Sequence, residues 1–147
     1  MQKILIIYAH PNPQNSILNK ALMKAAISLE GVTVRDLYAQ YPDFDIDIKA
    51  EQKLLEQADI IVFQHPFYWY SCPAILKEWF DVVLQNGFAY GDNGSKLKGK
   101  MWLSAITTGG NNQSYSLEGK HVYSIDEFLR PFEQTANFCG MSFLPAF

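Results

Sequence analysis

The run KILIIYA, Lys3 to Ala9, followed by HPNPQNS, His10 to Ser16, decides how the rest of the chain is read. The first run is too short for a helix, and its unbroken β-branched and apolar character is that of a strand covered on both faces. Ser16 then sits where a helix cap belongs. Behind it Leu18, Leu22, Ala25, Ala26 and Leu29 recur at helical spacing, and Gly31 ends the segment. The same unit repeats along the chain. VTVRDL, Val32 to Leu37, reads as a second strand, and the polar turn YPDFDID leads into a helix from about Ile48 to Ala58. DIIVFQH is again a buried strand, and after the loop FYWYSC, Pro73 opens a helix whose Ile75, Leu76, Trp79, Phe80, Val83 and Leu84 form one apolar face. A long loop from Asn86 to Gly99 precedes a fourth strand, MWLSAITT. A capping box at Ser124 and Glu127 opens a further helix with Ile125, Phe128, Leu129, Phe132 and Ala136 inward, kinked by Pro131. MSFLPAF looks like the start of a fifth strand.

Strands alternating with helices give an α/β fold, a doubly wound parallel sheet with right-handed crossovers and helices on both faces. Ligands of such sheets bind beyond the carboxyl ends of the strands, where the strand order reverses. That rule selects three loops: His10 to Ser16, His65 to Cys72, and Thr107 to about Ser124.

Composition fixes the setting. A length of 147 residues suits one domain spanning 1–147, and 48% hydrophobic against 18% charged residues excludes a disordered chain. No apolar run approaches the roughly 18 residues of a membrane span, and the first is too brief for a signal peptide. Cys72 and Cys139 lie far apart, as buried thiols of a reducing compartment do, so a cytoplasmic location is expected, with no metal site. A net charge of -3 without a basic cluster excludes a nucleic-acid partner. The unusual feature is the set of 10 Phe, 8 Tyr and 3 Trp, which asks for a use beyond a core.

The first loop lacks both GxGxxG and GKS/T, so it is neither a dinucleotide fingerprint nor a Walker loop. Its helix-start amides, the Ser16 hydroxyl, the Asn19 side chain and His10 nevertheless offer donors to an anion; taken singly, Ser16 is a cap and His10 a turn residue. The second loop places the aromatics Phe67, Tyr68, Trp69 and Tyr70 in succession, which suits either the wall of a flat conjugated ligand or core and interface filling. The third begins with Thr107, Thr108, Gly109 and Gly110, which allows a close approach of backbone to a ligand. It also carries Tyr115 and His121. A phenol and an imidazole brought together make a proton relay or an anion-stabilising pair, whereas separately they are surface residues.

The strings YAHPNPQNSILN, PFYWYSCPAILKEWFD, GFAYG, ITTGG and YSLEGKH, in this order over nearly the whole chain, resemble the flavodoxin-like NAD(P)H:quinone oxidoreductases. The likeness is closest to the ancillary subunits of glutathione-regulated potassium efflux antiporters. The resemblance implies a sheet in the order 2-1-3-4-5, FMN or FAD as cofactor, NADH or NADPH as hydride donor, a quinone as acceptor, and a homodimer. It implies flavin contacts from His10, from Ser16, Ile17, Leu18 and Asn19, from Phe67 to Tyr70, and from Thr107 to Gly110. It also implies that Tyr115 and His121 take the family's charge-stabilising positions as catalytic residues, and Trp69 is the expected wall of a slot that nicotinamide and quinone would use in turn.

Tyr68 stands where many members carry Gln. The family also continues through the rest of the fifth strand and a last helix, whereas this sequence stops at Phe147; an incomplete last strand, no final helix and apolar surface on one sheet face are therefore expected. A second reading is a regulatory module that binds a membrane potassium efflux antiporter, peripheral to the inner membrane through that partner, with catalysis secondary. A one-electron carrier is a third, disfavoured by His10 and Pro11 in the first loop and by the mild net charge.

Overall fold

The computed structural model describes residues 2–147. β1 (Ile4–Tyr8) is followed by a 3-10 turn at Pro13–Asn15 and by α1 (Ile17–Ile27). Next come β2 (Val32–Asp36), α2 (Leu37–Gln40), α3 (Ile48–Gln57), β3 (Ile60–Pro66) and α4 (Ala74–Val83). The chain closes with β4 (Met101–Thr107), α5 (Ile125–Phe128), α6 (Arg130–Phe138) and β5 (Ser142–Phe143). The strands form one five-stranded sheet in the order β2-β1-β3-β4-β5. Every pairing is parallel. This is the expected order, and its reversal between β1 and β3 opens a crevice at the carboxyl ends of the central strands.

The larger core lies on one face. Leu5 and Ile7 of β1, Ile61 and Phe63 of β3 and Trp102 of β4 meet Ile75, Leu76, Trp79 and Val83 of α4 and Leu129, Phe132 and Ala136 near or in α6. The Phe63 ring lies 4.1 Å from Trp102 and 5.1 Å from Phe80, which stacks on Trp102 at 5.5 Å and 23°. A fully buried carboxylate, Glu51 of α3, ties this layer together. It accepts bonds from Arg35 Nε of β2 (2.6 Å), Tyr41 Oη (2.7 Å) and Trp79 Nε1 of α4 (3.0 Å). A charge is tolerated inside only when it is partnered in this way.

The opposite face departs from the sequence expectation. Only Asn19 of α1 is fully buried, with Leu22, Met23 and Ala26 half-buried beside it. Leu18 and Leu29, expected inward, are 62% and 60% exposed. The cause is polar: Asn19 Nδ2 donates to Thr107 Oγ1 at 2.7 Å, and Gln64 Nε2 donates to the Asn19 carbonyl at 3.0 Å. These bonds roll the helix by one position. The cluster on this face is small, with Ile6, Val62 and Ala105 buried and Leu103 only partly covered, and Ala26 is its helical member among the described residues.

Two helix boundaries also change. Leu37, read as strand, begins α2, because Asp36 caps that turn through Ala39 N–H (3.2 Å). The capping box at Ser124 and Glu127 forms, but the kink at Pro131 is a full break with Leu129 between α5 and α6. Pro131 thus sits in the first turn of α6, where its missing N–H costs nothing. Beyond β5 the chain keeps bonding to β4, with Leu144 N–H on Trp102 O and Phe147 N–H on Ser104 O, both at 2.9 Å. Three residues on one side against two on the other make a bulge at Pro145 and Ala146. Among the described residues no helix is long and apolar enough to cross a membrane.

His65 of β3 is buried, with Nδ1 2.9 Å from the Pro66 carbonyl. Burial pushes its pKa down to about 4, against the opposing pull of that carbonyl. From about pH 6.5 down to the folded value the unfolded chain binds a proton that the native state refuses, so stability falls as pH falls, by about 3 kcal/mol in all. Urea unfolding of wild type and His65→Gln at pH 7 and pH 4.5 checks this: the wild type is expected to lose more stability between the two. Equal losses would remove His65 from the account.

Candidate active site

The first loop leaves β1 at His10, which is buried together with Ser16. His10 Nδ1 accepts the Asn12 N–H at 3.0 Å, so the neutral ring carries its proton on Nε2. Burial lowers its pKa, with Asp36 opposing. Ser16 occupies the N-cap of α1 by position, but its hydroxyl makes no capping bond. The Asn19 side chain is committed to Thr107, so its contribution to an anion reduces to its backbone amide beside those of Ile17 and Leu18. Ile17 and Leu18 project outward and add no side-chain wall. At the foot of this loop the Tyr8 hydroxyl is buried with no partner among the described residues. Burial and the nearby Asp36 raise its pKa and keep it a donor.

The second loop leaves β3 through a bond from Phe67 N–H to Thr107 O at 2.8 Å. Trp69 and Tyr70 both have positive φ, 47° and 62°, and Ser71 N–H closes on Tyr68 O at 2.9 Å. This is the pattern of a primed turn, in which Asn-Gly is favoured and two bulky aromatics are strained by roughly 1–2 kcal/mol each. Aromatic packing holds Tyr70, while the Trp69 side chain stays exposed. Tyr70 stacks on Phe128 at 4.9 Å and 26°, and Phe67 meets Tyr115 at 6.0 Å and Phe128 at 5.7 Å, edge to face. Phe128, read from the sequence as core, therefore packs behind the loop aromatics and does not itself line the cleft. Its periodicity placed it inward, but nothing local says that the helix breaks after it and turns it toward the loops.

The third loop closes on itself. Asn111 Oδ1 caps the turn Asn112–Ser114 by accepting Ser114 N–H at 3.1 Å, and His121 N–H bonds Ser114 O at 2.9 Å. Gly119 permits this crossing, because a Cβ there would lie 2.5 Å from the carbonyl oxygens of both Gln113 and Ser114. A Cβ on Gly110 would come within 3.3 Å of the Tyr115 ring. Thr108 Oγ1 braces the start of the loop on Gly110 O at 2.7 Å. The result is a parallel stack of Tyr115 and His121, with centroids 4.3 Å apart and planes at 15°. Tyr70 Oη reaches His121 Nδ1 at 3.3 Å.

Phe67, Trp69, Tyr70, Gly109, Gly110, Ser114, Tyr115, Lys120 and His121 line one cleft of about 470 Å³. Tyr68, Thr107, Thr108 and the first-loop residues His10 and Ser16 to Asn19 stand outside that lining, and Ser114 and Lys120 were not anticipated. The Asn19–Thr107 bond joins the end of β4 to the start of α1. A histidine N–H, a hydroxyl without a capping bond and helix-start amides in the first loop, with an aromatic, glycine-edged cleft between the second and third, are groups that can take a phosphate and a flat conjugated ring.

A parallel sheet of this order, with a cleft off the carboxyl ends of β3 and β4, defines the doubly wound α/β class of protein. The chain belongs to the flavodoxin-like fold family, which it matches over residues 2–147. It is 56% identical to the glutathione-regulated potassium-efflux system ancillary protein KefG of Pectobacterium atrosepticum over 142 residues, which cover 97% of this chain and 78% of that protein. General stress protein 14 of Treponema denticola, crystallised in complex with FMN, is 44% identical with a TM-score of 0.96, covering 99% of this chain and 84% of that one. An NADPH-quinone reductase from P. pentosaceus is 38% identical with a TM-score of 0.88, over 99% and 83% of the two chains.

Trp69 is 91% exposed, so its replacement removes almost no burial, and glycine relieves the positive φ. Trp69→Gly is expected to leave stability in urea unchanged or raise it by up to about 1 kcal/mol. A destabilised variant would mean that the indole holds the turn.

Proposed function

We propose that this chain is a flavin-dependent NAD(P)H:quinone oxidoreductase that holds FMN rather than FAD, accepts NADH or NADPH, and works as a homodimer. The stacked Tyr115–His121 pair on the wall of the aromatic cleft carries the reading. The solved FMN complex and NADPH-quinone reductase, both more than a third identical to this chain, support it.

When bound, the flavin supplies two-electron hydride acceptance and donation between nicotinamide and quinone. His10 Nε2–H, the Ser16 hydroxyl and the amides of Ile17, Leu18 and Asn19 bind the phosphate. Phe67, Trp69 and Tyr70, with the backbone of Gly109 and Gly110, orient the ring system. Trp69 walls the outer slot, where nicotinamide and quinone bind in turn, so turnover is ping-pong. Tyr115 donates toward the ring edge where negative charge gathers, as an oxyanion-hole donor does, and His121 shares the proton.

Purified protein is expected to be yellow with FMN and to bleach with NADH or NADPH under anaerobic conditions. Tyr115→Phe is expected to slow that bleaching in stopped flow by roughly tenfold to a hundredfold. A chain that takes up no flavin, or a variant that bleaches at the wild-type rate, would overturn the assignment.

The 56% identity to KefG favours a second role alongside the first, as ancillary subunit of a membrane potassium efflux antiporter. The chain is then cytoplasmic and reaches the inner membrane through that partner. It is expected to be captured by the antiporter's cytosolic domain in a pull-down, and Tyr115→Phe to be captured equally. Absence of capture at micromolar protein would refute the role.

A further inference from the structure

We infer that Tyr70 is a positioning residue for His121, its hydroxyl anchoring the imidazole flat on Tyr115. The inference rests on the function proposed above and adds a cleft residue that acts through His121. A stack fixes the plane of a ring but not its rotation within that plane or its slide across the partner. His121 is stacked on Tyr115, and its directional side-chain bond is the one to Tyr70 Oη at 3.3 Å from Nδ1. The two rings otherwise meet edge to face, 5.7 Å apart at 66°. That bond commits Nδ1 and leaves Nε2 as the nitrogen free to exchange a proton. A phenol both donates and accepts, so the anchor holds whether or not the imidazole carries the extra proton.

Tyr70 is itself rigidly placed. Its backbone is held at φ 62° and its ring is stacked on Phe128. Strain of this kind persists where the surroundings over-determine a conformation, and it points from geometry to a role. Phenylalanine would serve the stack on Phe128 equally well. What the tyrosine adds is an oxygen, and among the described residues that oxygen bonds His121.

Tyr70→Phe therefore separates anchoring from packing. In the full chain free of flavin, the His121 ring protons, assigned with His121→Gln, are expected upfield because they lie over Tyr115; in Tyr70→Phe most of that displacement should vanish. With FMN bound, kcat for quinone reduction is expected to fall about fivefold, the worth of one ordinary hydrogen bond, with KM unchanged. In the His121→Gln background Tyr70→Phe is expected to cost nothing further. Unchanged ring shifts in Tyr70→Phe, or losses that add across the cycle, would overturn the inference. A chain that binds no flavin would sink the quinone-reductase reading, while the ring shifts would still decide the Tyr70 anchor.

Discussion

One backbone hydrogen bond, from Phe67 N–H to Thr107 O at 2.8 Å, stands between the sheet and everything that happens above it. β3 and β4 are paired without interruption from Ile60–Met101 to Pro66–Thr107, and this bond adds a last rung just as both strands leave the sheet. It fixes the height at which the second and third loops depart. Because Thr107 also accepts the Asn19 side chain through its hydroxyl, the same residue sets the height of α1. Three loops distant in sequence are thus referenced to one threonine, and the cleft needs no long-range adjustment of its own.

Above that rung the order comes from rings. The turn at Trp69 and Tyr70 takes a backbone shape that neither residue favours, and the stack of Tyr70 on Phe128 with the edge contacts of Phe67 offsets the strain. Aromatic pairs are worth about 0.5–1.5 kcal/mol beyond their buried area, so a handful matches the backbone penalty of two left-handed residues. The third loop uses the other strategy, with Gly119 letting the backbone cross itself where any side chain would strike two carbonyls.

The strand pattern and the three loops were legible in the sequence, as was the meeting of the second and third loops in one cleft, because buried parallel strands are continuous apolar runs and loops at their carboxyl ends follow by topology. What escaped were features set by partners distant in sequence. The Asn19 side chain reads as a donor to a bound anion, yet Thr107 and Gln64 engage it inside the fold and Leu18, read as inward, turns out. Phe128 reads as core because its spacing matches Leu129 and Phe132, but the break at Leu129 sends it to the loops. Ser16 reads as a side-chain cap, while its hydroxyl caps nothing. Glu51 has no local signal at all, since its three donors come from β2, the segment after α2, and α4.

The bulge after β5 has a consequence for the outer edge of the sheet. Along that strand Ser142 and Leu144 send their N–H groups inward to β4, so Phe143 and residue 145 are the positions facing away. Residue 145 is proline and has no N–H to offer. An incoming strand would find one donor and then a gap in a stretch already twisted by the bulge, so the edge is closed to sheet extension by its own chemistry.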